Sequence, residues 1–175
     1  IEQRGRFDLA LSAGEALDSF YQRLVIDPRY RGFPWGETHI WLVEERGVAE
    51  TDERSRVAAL RAGLLDHLPV RRRQVHAIPA TRDDPAEAYA QQLEAHLGAA
   101  SPRLDFVLLT IDEAAALPGL PAESEATPQS HWLARATFES SPSQWAMSLA
   151  LINAARAVAV AATGARYAPA FQRIE

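Results

Sequence analysis

Short apolar segments alternate with amphipathic segments along this chain of 175 residues, and this alternation constrains the fold more than any other feature. Apolar, strand-like segments lie at residues 7–12, 38–44, 75–79, 104–111 and 157–163. Segments with apolar residues at helical spacing lie between them, at residues 15–25, 52–68 and 84–97. Because strands that are joined through helices pair in parallel, the pattern predicts an α/β domain with a mostly parallel sheet.

The helix predicted over residues 84–97 has the clearest limits. Asp84 is of a residue type that caps helix N-termini, and Gly98 is of the type that ends helices. Three prolines predict a loop over residues 112–130. Shorter strands are predicted at 134–138 and 145–149, and short helices at 152–156 and 166–173.

The composition excludes several classes of protein. The chain has no cysteine, which excludes a disulfide scaffold, a thiolate nucleophile and a cysteine-ligated metal site. All 18 lysine-plus-arginine residues are arginine, so Schiff-base chemistry by lysine is excluded as well. The net charge of -5 disfavours nucleic acid as a partner, and no apolar run reaches the roughly 20 residues that span a bilayer. We therefore expect one domain over residues 1–175, in the cytoplasm, with no nucleic-acid or membrane partner.

Four stretches of the chain carry motifs in a characteristic order. They are LALSAGEAL at Leu9–Leu17, THIWLVEER at Thr38–Arg46, Phe106–Ile111 with Ala115–Gly119, and SLALINAARAVAVAATG at Ser148–Gly164. Together they resemble the 6-phosphogluconolactonase family, within the wider group that contains glucosamine-6-phosphate isomerases. The resemblance implies a Rossmann-like, three-layer α/β/α domain of the NagB-like type. It also implies hydrolysis of 6-phosphogluconolactone in the pentose phosphate pathway, without a metal or organic cofactor.

The resemblance also implies site residues, at the carboxyl ends of strands where ligands bind in such sheets. The substrate-binding positions are Ser12, Ala13, Gly14, Arg46, Gln144 and Arg166. The base that activates water for lactone opening is then Asp112 or Glu113, which follow the central strand. Asp112 has a second interpretation, as a helix-start residue. Arg46 also has one, as an ion-pair partner of Glu44 or Glu45.

The chain departs from the family pattern at four points. Its phosphate loop is Ala13-Gly14-Glu15-Ala16 where the family has glycine, glycine, serine and threonine. Gln144 and Tyr167 stand where the family has an arginine and a lysine. No histidine follows the central strand, where the family places its base. Because the pocket thus lacks its usual charged pair and its base, we predict a binding, scaffold or regulatory domain that has lost lactone hydrolysis.

Two alternatives stay open at this point. One is an active 6-phosphogluconolactonase, or a related sugar-phosphate hydrolase or isomerase, that uses Arg46 with Asp112 or Glu113 in a rearranged site. The other concerns Glu15, which either faces the pocket and repels phosphate or occupies the first turn of its helix. In the second position its carboxylate stabilises the helix dipole.

The histidines show no spacing typical of a catalytic or metal site. They are His39, His67, His76, His96 and His131. Each is predicted to be structural or solvent-exposed, so neither a metal nor a cofactor is expected. The expected ligand is a sugar phosphate. Family members extend beyond this chain at both ends, which leaves a sheet edge for a second copy, as a homodimer, or a protein partner to cover.

Overall fold

A computed structural model describes residues 5–98, 102–112, 116–117, 127–128, 132–138 and 141–172. In chain order the elements are β1 (Phe7–Leu11), α1 (Glu15–Ile26), β2 (Thr38–Leu42), β3 (Glu44–Arg46), α2 (Arg56–Gly63), β4 (Val75–His76), α3 (Pro85–Leu97), β5 (Phe106–Leu109), β6 (Thr127–Pro128), β7 (Leu133–Phe138), β8 (Ser141–Met147), α4 (Leu149–Ala154), β9 (Val158–Val160) and α5 (Ala168–Phe171). Single turns of 3₁₀ helix lie at Pro28–Tyr30, Trp35–Glu37, Leu65–His67, Arg72–Gln74 and Ala165–Tyr167. None of the described helices is long and apolar enough to cross a bilayer.

The main sheet consists of parallel strands in the order β4-β2-β1-β5-β9. β1 lies at its centre, where Leu9 pairs with Ile40 of β2 on one side and with Phe106 of β5 on the other. Because the strands are parallel, their carboxyl ends all lie at one edge of the sheet. This arrangement confirms the predicted α/β fold with a mostly parallel sheet.

Two apolar cores lie on opposite faces of this sheet, because side chains alternate between faces along each strand. The first core packs α1 and α2 against the sheet and includes Leu11, Leu17 and Leu60. The second core packs α3, α4 and β8 against the other face and includes Trp41 and Tyr89. These layers form the predicted α/β/α sandwich.

A second sheet, antiparallel and in the order β3-β8-β7-β6, begins at the carboxyl edge of the first. The chain passes from one sheet to the other at Val43, whose N–H donates to the carbonyl of Leu11 at 3.1 Å. The carbonyl of Val43 accepts the N–H of Met147 of β8 at 2.8 Å. The single strand predicted over 38–44 is therefore two strands. The residues of β3 lie where the two sheets meet.

Two predicted elements have different limits because serine residues cap the helices beside them. The helix predicted over 52–68 begins only at Arg56, since Ser55 precedes it and its hydroxyl oxygen accepts the N–H of Ala58 at 3.2 Å. The strand predicted over 145–149 ends before Ser148, whose hydroxyl caps α4. Both helices thus start where a side-chain oxygen satisfies a free backbone N–H.

The strand predicted over 157–163 is shorter than expected, and it is not buried. β9 covers only Val158–Val160 and lies at the edge of the sheet, where Val158 is 43% and Val160 38% exposed. The limits of α3, in contrast, are confirmed. Asp84 accepts the N–H of Glu87 at 3.0 Å, and Gly98 ends the helix with φ +99°.

Candidate functional site

The loop between β1 and α1 is held by a buried carboxylate from the neighbouring strand. Glu44 accepts the hydroxyl of Ser12 through Oε2 and the N–H of Ala13 through Oε1, both at 3.0 Å. Ser12 and Ala13, two predicted substrate-binding residues, are buried and use these groups within the protein. What they contribute to the site is the shape of the loop.

Gly14 precedes α1 in a conformation that favours glycine, with φ +145°. No side chain caps the start of α1, so its first backbone N–H groups have no side-chain acceptor. The start of a helix attracts anions through such N–H groups and through the helix dipole. The loop therefore offers a place for a phosphate group, although it lacks the hydroxyl residues of the family motif.

Burial raises the pKa of Glu44 from 4.5 to about 7. The N–H of Ala13, the nearby Arg56 and the hydroxyl of Ser12 favour the ionised form and oppose the shift, whereas Glu45 adds to it. Near neutral pH the side chain is thus close to half-protonated. Both of its oxygens are engaged with the loop, so its protonation couples to the loop rather than to a reacting water.

We expect Glu44 to make the protein less stable as the pH rises from about 4.5 to about 7. The folded state holds this proton more tightly than the unfolded state, so the stabilisation is complete below the unfolded pKa and is lost as the pH passes the folded pKa. The loss amounts to ~3 kcal/mol. Glu44→Gln should remove this pH dependence, because the amide does not titrate and can still accept from Ala13 and donate to Ser12.

Urea unfolding at several pH values measures this dependence. The free energy of unfolding of Glu44→Gln should rise relative to that of the native chain as the pH increases from 5 to 8 (~3 kcal/mol in total). Glu53→Gln, at an exposed position, is the matched control and should follow the native curve. A constant difference between Glu44→Gln and the native chain would contradict the assigned pKa.

Glu45 holds the start of α2. Its carboxylate is buried and accepts the N–H groups of Arg46, Arg56 and Val57 at 2.7–2.9 Å. It also accepts the hydroxyl of Ser55 at 3.2 Å. The carboxylate thus ties β3 to the first turn of the helix and fixes the backbone that carries Arg46 and Arg56.

Two guanidinium groups at this edge form no close ion pair with a described carboxylate. Neither Arg46 nor Arg56 forms an ion pair within the described chain, whereas Arg54 between them is paired with Asp52 at 2.8 Å. Burial, Arg56 and Arg54 lower the pKa of Arg46. The predicted ion pair of Arg46 with Glu44 or Glu45 is therefore not formed.

Arg56 is the residue that the sequence analysis missed. Its Nη1 atom lies 3.3 Å from the point where a Cβ atom on Gly14 would stand, so its guanidinium reaches the phosphate loop. The pocket lacks the family's usual arginine and lysine at Gln144 and Tyr167, but Arg56 adds positive charge beside Arg46. An arginine directly after a capping serine was the only signal in the sequence, and it does not show which strand end the side chain will face.

The other predicted substrate-binding residues lie around the same edge. Gln144 pairs with Arg46 across β3 and β8. Arg166 is exposed and donates to the carboxylate of Glu15 at 3.0 Å. Glu15 occupies the first turn of α1 and is exposed, as in the second of its two interpretations.

Of the two predicted base residues, the structure describes only Asp112. Asp112 is exposed, and its carboxylate accepts the N–H of Ala116 at 2.8 Å within a turn. Glu113 and His131 lie outside the described residues. Three histidines that were each predicted to be structural or solvent-exposed, His39, His76 and His96, form a cluster.

A polar cavity of about 470 Å³ lies between the start of α3 and β8, with Gly47 also in its lining. Arg82 and Arg135 line it, but so do the carboxylates of Asp83 and Asp84. Mixed charge makes it a poorer match for a phosphate dianion than the loop beside Arg46 and Arg56.

Comparison with known proteins identifies the class of this domain. A family model described as glucosamine-6-phosphate isomerases/6-phosphogluconolactonase matches residues 1–175. The chain belongs to this family.

Named relatives agree with this assignment. The chain is 34% identical to the GDH/6PGL endoplasmic bifunctional protein of Homo sapiens, over 94% of this chain and 22% of that protein. It is 27% identical to a 6-phosphogluconolactonase of Nostoc sp., over 99% of this chain and 73% of the relative. The chain thus spans about a fifth of the length of the human protein.

Solved structures show the same fold. The crystal structure of the devB protein superposes with a TM-score of 0.83 at 21% identity, over 99% of this chain and 75% of the other. The 6-phosphogluconolactonase of Trypanosoma brucei superposes with a TM-score of 0.71 at 23% identity, over 94% and 72%.

Proposed function

We propose that this chain is a 6-phosphogluconolactonase-like domain of pentose phosphate metabolism that binds a phosphorylated sugar acid and has lost lactone hydrolysis. The observation that carries the proposal is the pair of guanidinium groups, Arg46 and Arg56, which lie beside the loop that starts α1 and form no close ion pair among the described residues. The cytoplasmic setting expected from the absence of cysteine, and a homodimer or protein partner, remain predictions.

The binding half of the proposal follows from charge. A phosphate dianion needs several donors and at least one cation close by. The start of α1 offers backbone N–H groups, Arg56 lies against Gly14, and Arg46 lies on the adjoining strand end. Arg166 adds a guanidinium at the rim, beside Glu15.

The loss of hydrolysis is supported by where the proton acceptors lie. Lactone opening requires a base within hydrogen-bond reach of a water molecule. Among the described residues at this edge, Glu44 is buried with both oxygens engaged, and Asp112 is bound to its own turn. The three clustered histidines lie toward the other end of the strands, on β2, β4 and the last turn of α3.

The alternative is an active lactonase in which Asp112 or Glu113 serves as the base. It is favoured by the names of the human and Nostoc sp. relatives, both of which include this activity. The two proposals differ in the rate of lactone hydrolysis that they predict, and both predict binding of the phosphorylated sugar acid.

The rate of lactone hydrolysis separates them, and the melting temperature tests the binding that both require. Acid release from fresh 6-phosphogluconolactone should proceed at the spontaneous rate, and 6-phosphogluconate should raise the melting temperature, with gluconate as the phosphate-free control. A ligand at 100 times its dissociation constant adds ~2.7 kcal/mol of stability. Hydrolysis well above background that Arg46→Ala abolishes would establish the active alternative. Equal effects of gluconate and 6-phosphogluconate would contradict the phosphate site.

A further inference from the structure

Three imidazole rings converge from elements that are far apart in the sequence. His39 lies on β2, His76 on β4 and His96 in the last turn of α3. One ring nitrogen of each lies within 4.8 Å of the other two. His39 Nδ1 and His76 Nε2 are 2.9 Å apart and share a hydrogen bond.

A buried carboxylate completes the group. Asp8, on β1 directly beside His39, places Oδ1 3.1 Å from His96 Nε2. That nitrogen is buried, and apart from this contact with Asp8 it has no hydrogen-bond partner among the described residues. A buried ring nitrogen in this state has spare capacity to bind a ligand.

The rings are held in place by packing. His76 stacks on Trp41 at a centroid distance of 3.9 Å and 11° between the ring planes. The ring of His39 lies 4.1 Å from that of His96. The indole N–H of Trp41 donates to Asp8 at 3.2 Å, which also fixes the carboxylate. The donor set is therefore largely preorganised.

Charged groups of both signs surround the rings. Burial lowers the pKa of all three histidines, and that of His76 to about 3. The positive charges of Arg6 and Arg73 also lower the pKa of His39. Arg6 is paired with Asp8 at 3.1 Å, and this carboxylate faces the rings from β1.

We propose that His39, His76 and His96 bind one divalent transition-metal ion of the zinc class, with Asp8 as the adjoining carboxylate. Zinc–imidazole bonds of about 2.1 Å in a tetrahedral site place ligand nitrogens roughly 3.4 Å apart. The observed separations bracket this distance, from 2.9 Å to at most 4.8 Å. Imidazole ligands suit zinc, nickel and copper and disfavour calcium and magnesium.

The ion would tie the end of α3 to strands β1, β2 and β4. Asp8 is four residues before Ser12 on the central strand, which is about 13 Å of extended chain. The metal site is thus separate from the phosphate loop, and the inference does not depend on the proposed function.

Zinc chloride alone is the probe. Calorimetric titration of the chelator-dialysed chain should give one equivalent bound per chain. At a hundredfold excess over the dissociation constant, the melting temperature should rise by about 5–10 °C, and a chelator should reverse the rise. Absence of saturable binding by zinc would overturn the proposal.

Variants locate the ion. His39→Gln and His96→Gln should each weaken zinc binding by at least roughly 100-fold, since loss of an outer partner alone costs 10–100-fold. His67→Gln, at an exposed histidine, is the control and should bind zinc as the native chain does. Native-like affinity in His39→Gln and His96→Gln would show that zinc binds elsewhere.

A measurement on the native chain removes any dependence on how the variants fold. In ¹⁵N spectra of the histidine rings, zinc should shift the resonances of His39, His76 and His96 together. Shifts confined to His67 or His131 would contradict the site.

Discussion

Glu45→Ala is expected to lower the free energy of unfolding by about 3–4 kcal/mol. The carboxylate accepts hydrogen bonds from the backbone of Arg46, Arg56 and Val57 and from the hydroxyl of Ser55. Alanine leaves these buried donors without an acceptor, at a cost of roughly 1–3 kcal/mol each before water enters. Urea unfolding monitored by circular dichroism measures the loss.

Two further variants sharpen this test. Glu45→Gln should lower the free energy of unfolding by about half as much as Glu45→Ala. Its amide oxygen can still accept a hydrogen bond, whereas its NH₂ group faces other donors. Glu53→Ala, at an exposed position in the same loop, should change stability by less than about 0.5 kcal/mol. A Glu45→Ala protein as stable as Glu53→Ala would show that the carboxylate does not hold α2.

Arg56→Met is expected to weaken 6-phosphogluconate binding by about 10- to 100-fold, since a hydrogen bond to a charged group contributes roughly 1.5–3 kcal/mol. Methionine keeps an unbranched side chain but removes the guanidinium that lies beside Gly14. Arg46→Met should act in the same direction. Calorimetric titration gives the dissociation constants.

Arg54→Met is the matched control for this prediction. Arg54 lies two residues from Arg56 and is already paired with Asp52 at 2.8 Å, so its removal should change the affinity by less than about threefold. An equal loss of affinity in Arg54→Met and Arg56→Met would mean that only the general positive field attracts the ligand. Unchanged affinity in Arg56→Met would place the phosphate elsewhere.

Local chemistry explains which elements could be predicted. The limits of α3 follow from Asp84 and Gly98, two residues that act within one turn of the helix they bound. The predicted strand over 38–44 failed at Val43, because a continuous apolar run does not show where a chain leaves one sheet for another. The exposure of Val158 likewise depends on strand order, which its own sequence does not contain.

Some residues of the candidate site could likewise be predicted from the sequence, and others could not. The loop at Ser12–Gly14 and the strand end at Arg46 could be placed from the motifs, because motif order fixes which strand ends meet. The contribution of Arg56 could not be predicted, since the position of this residue depends on the capping of α2 by Glu45.

The histidine cluster was equally hidden from the sequence. His39, His76 and His96 are separated by 37 and 20 residues and match no metal-binding spacing. Only the pairing of β2 with β4, and the packing of α3 across them, brings the rings together.

The most direct test of the central claim is a crystal structure of this chain with 6-phosphogluconate. The account predicts the phosphate at the start of α1, within hydrogen-bond distance (about 3 Å) of the Arg56 guanidinium and of the first backbone N–H groups after Gly14. It also predicts no proton acceptor aligned with a water at the lactone carbon. A phosphate bound between Arg82 and Arg135, or a water held by a carboxylate in line for attack, would contradict it.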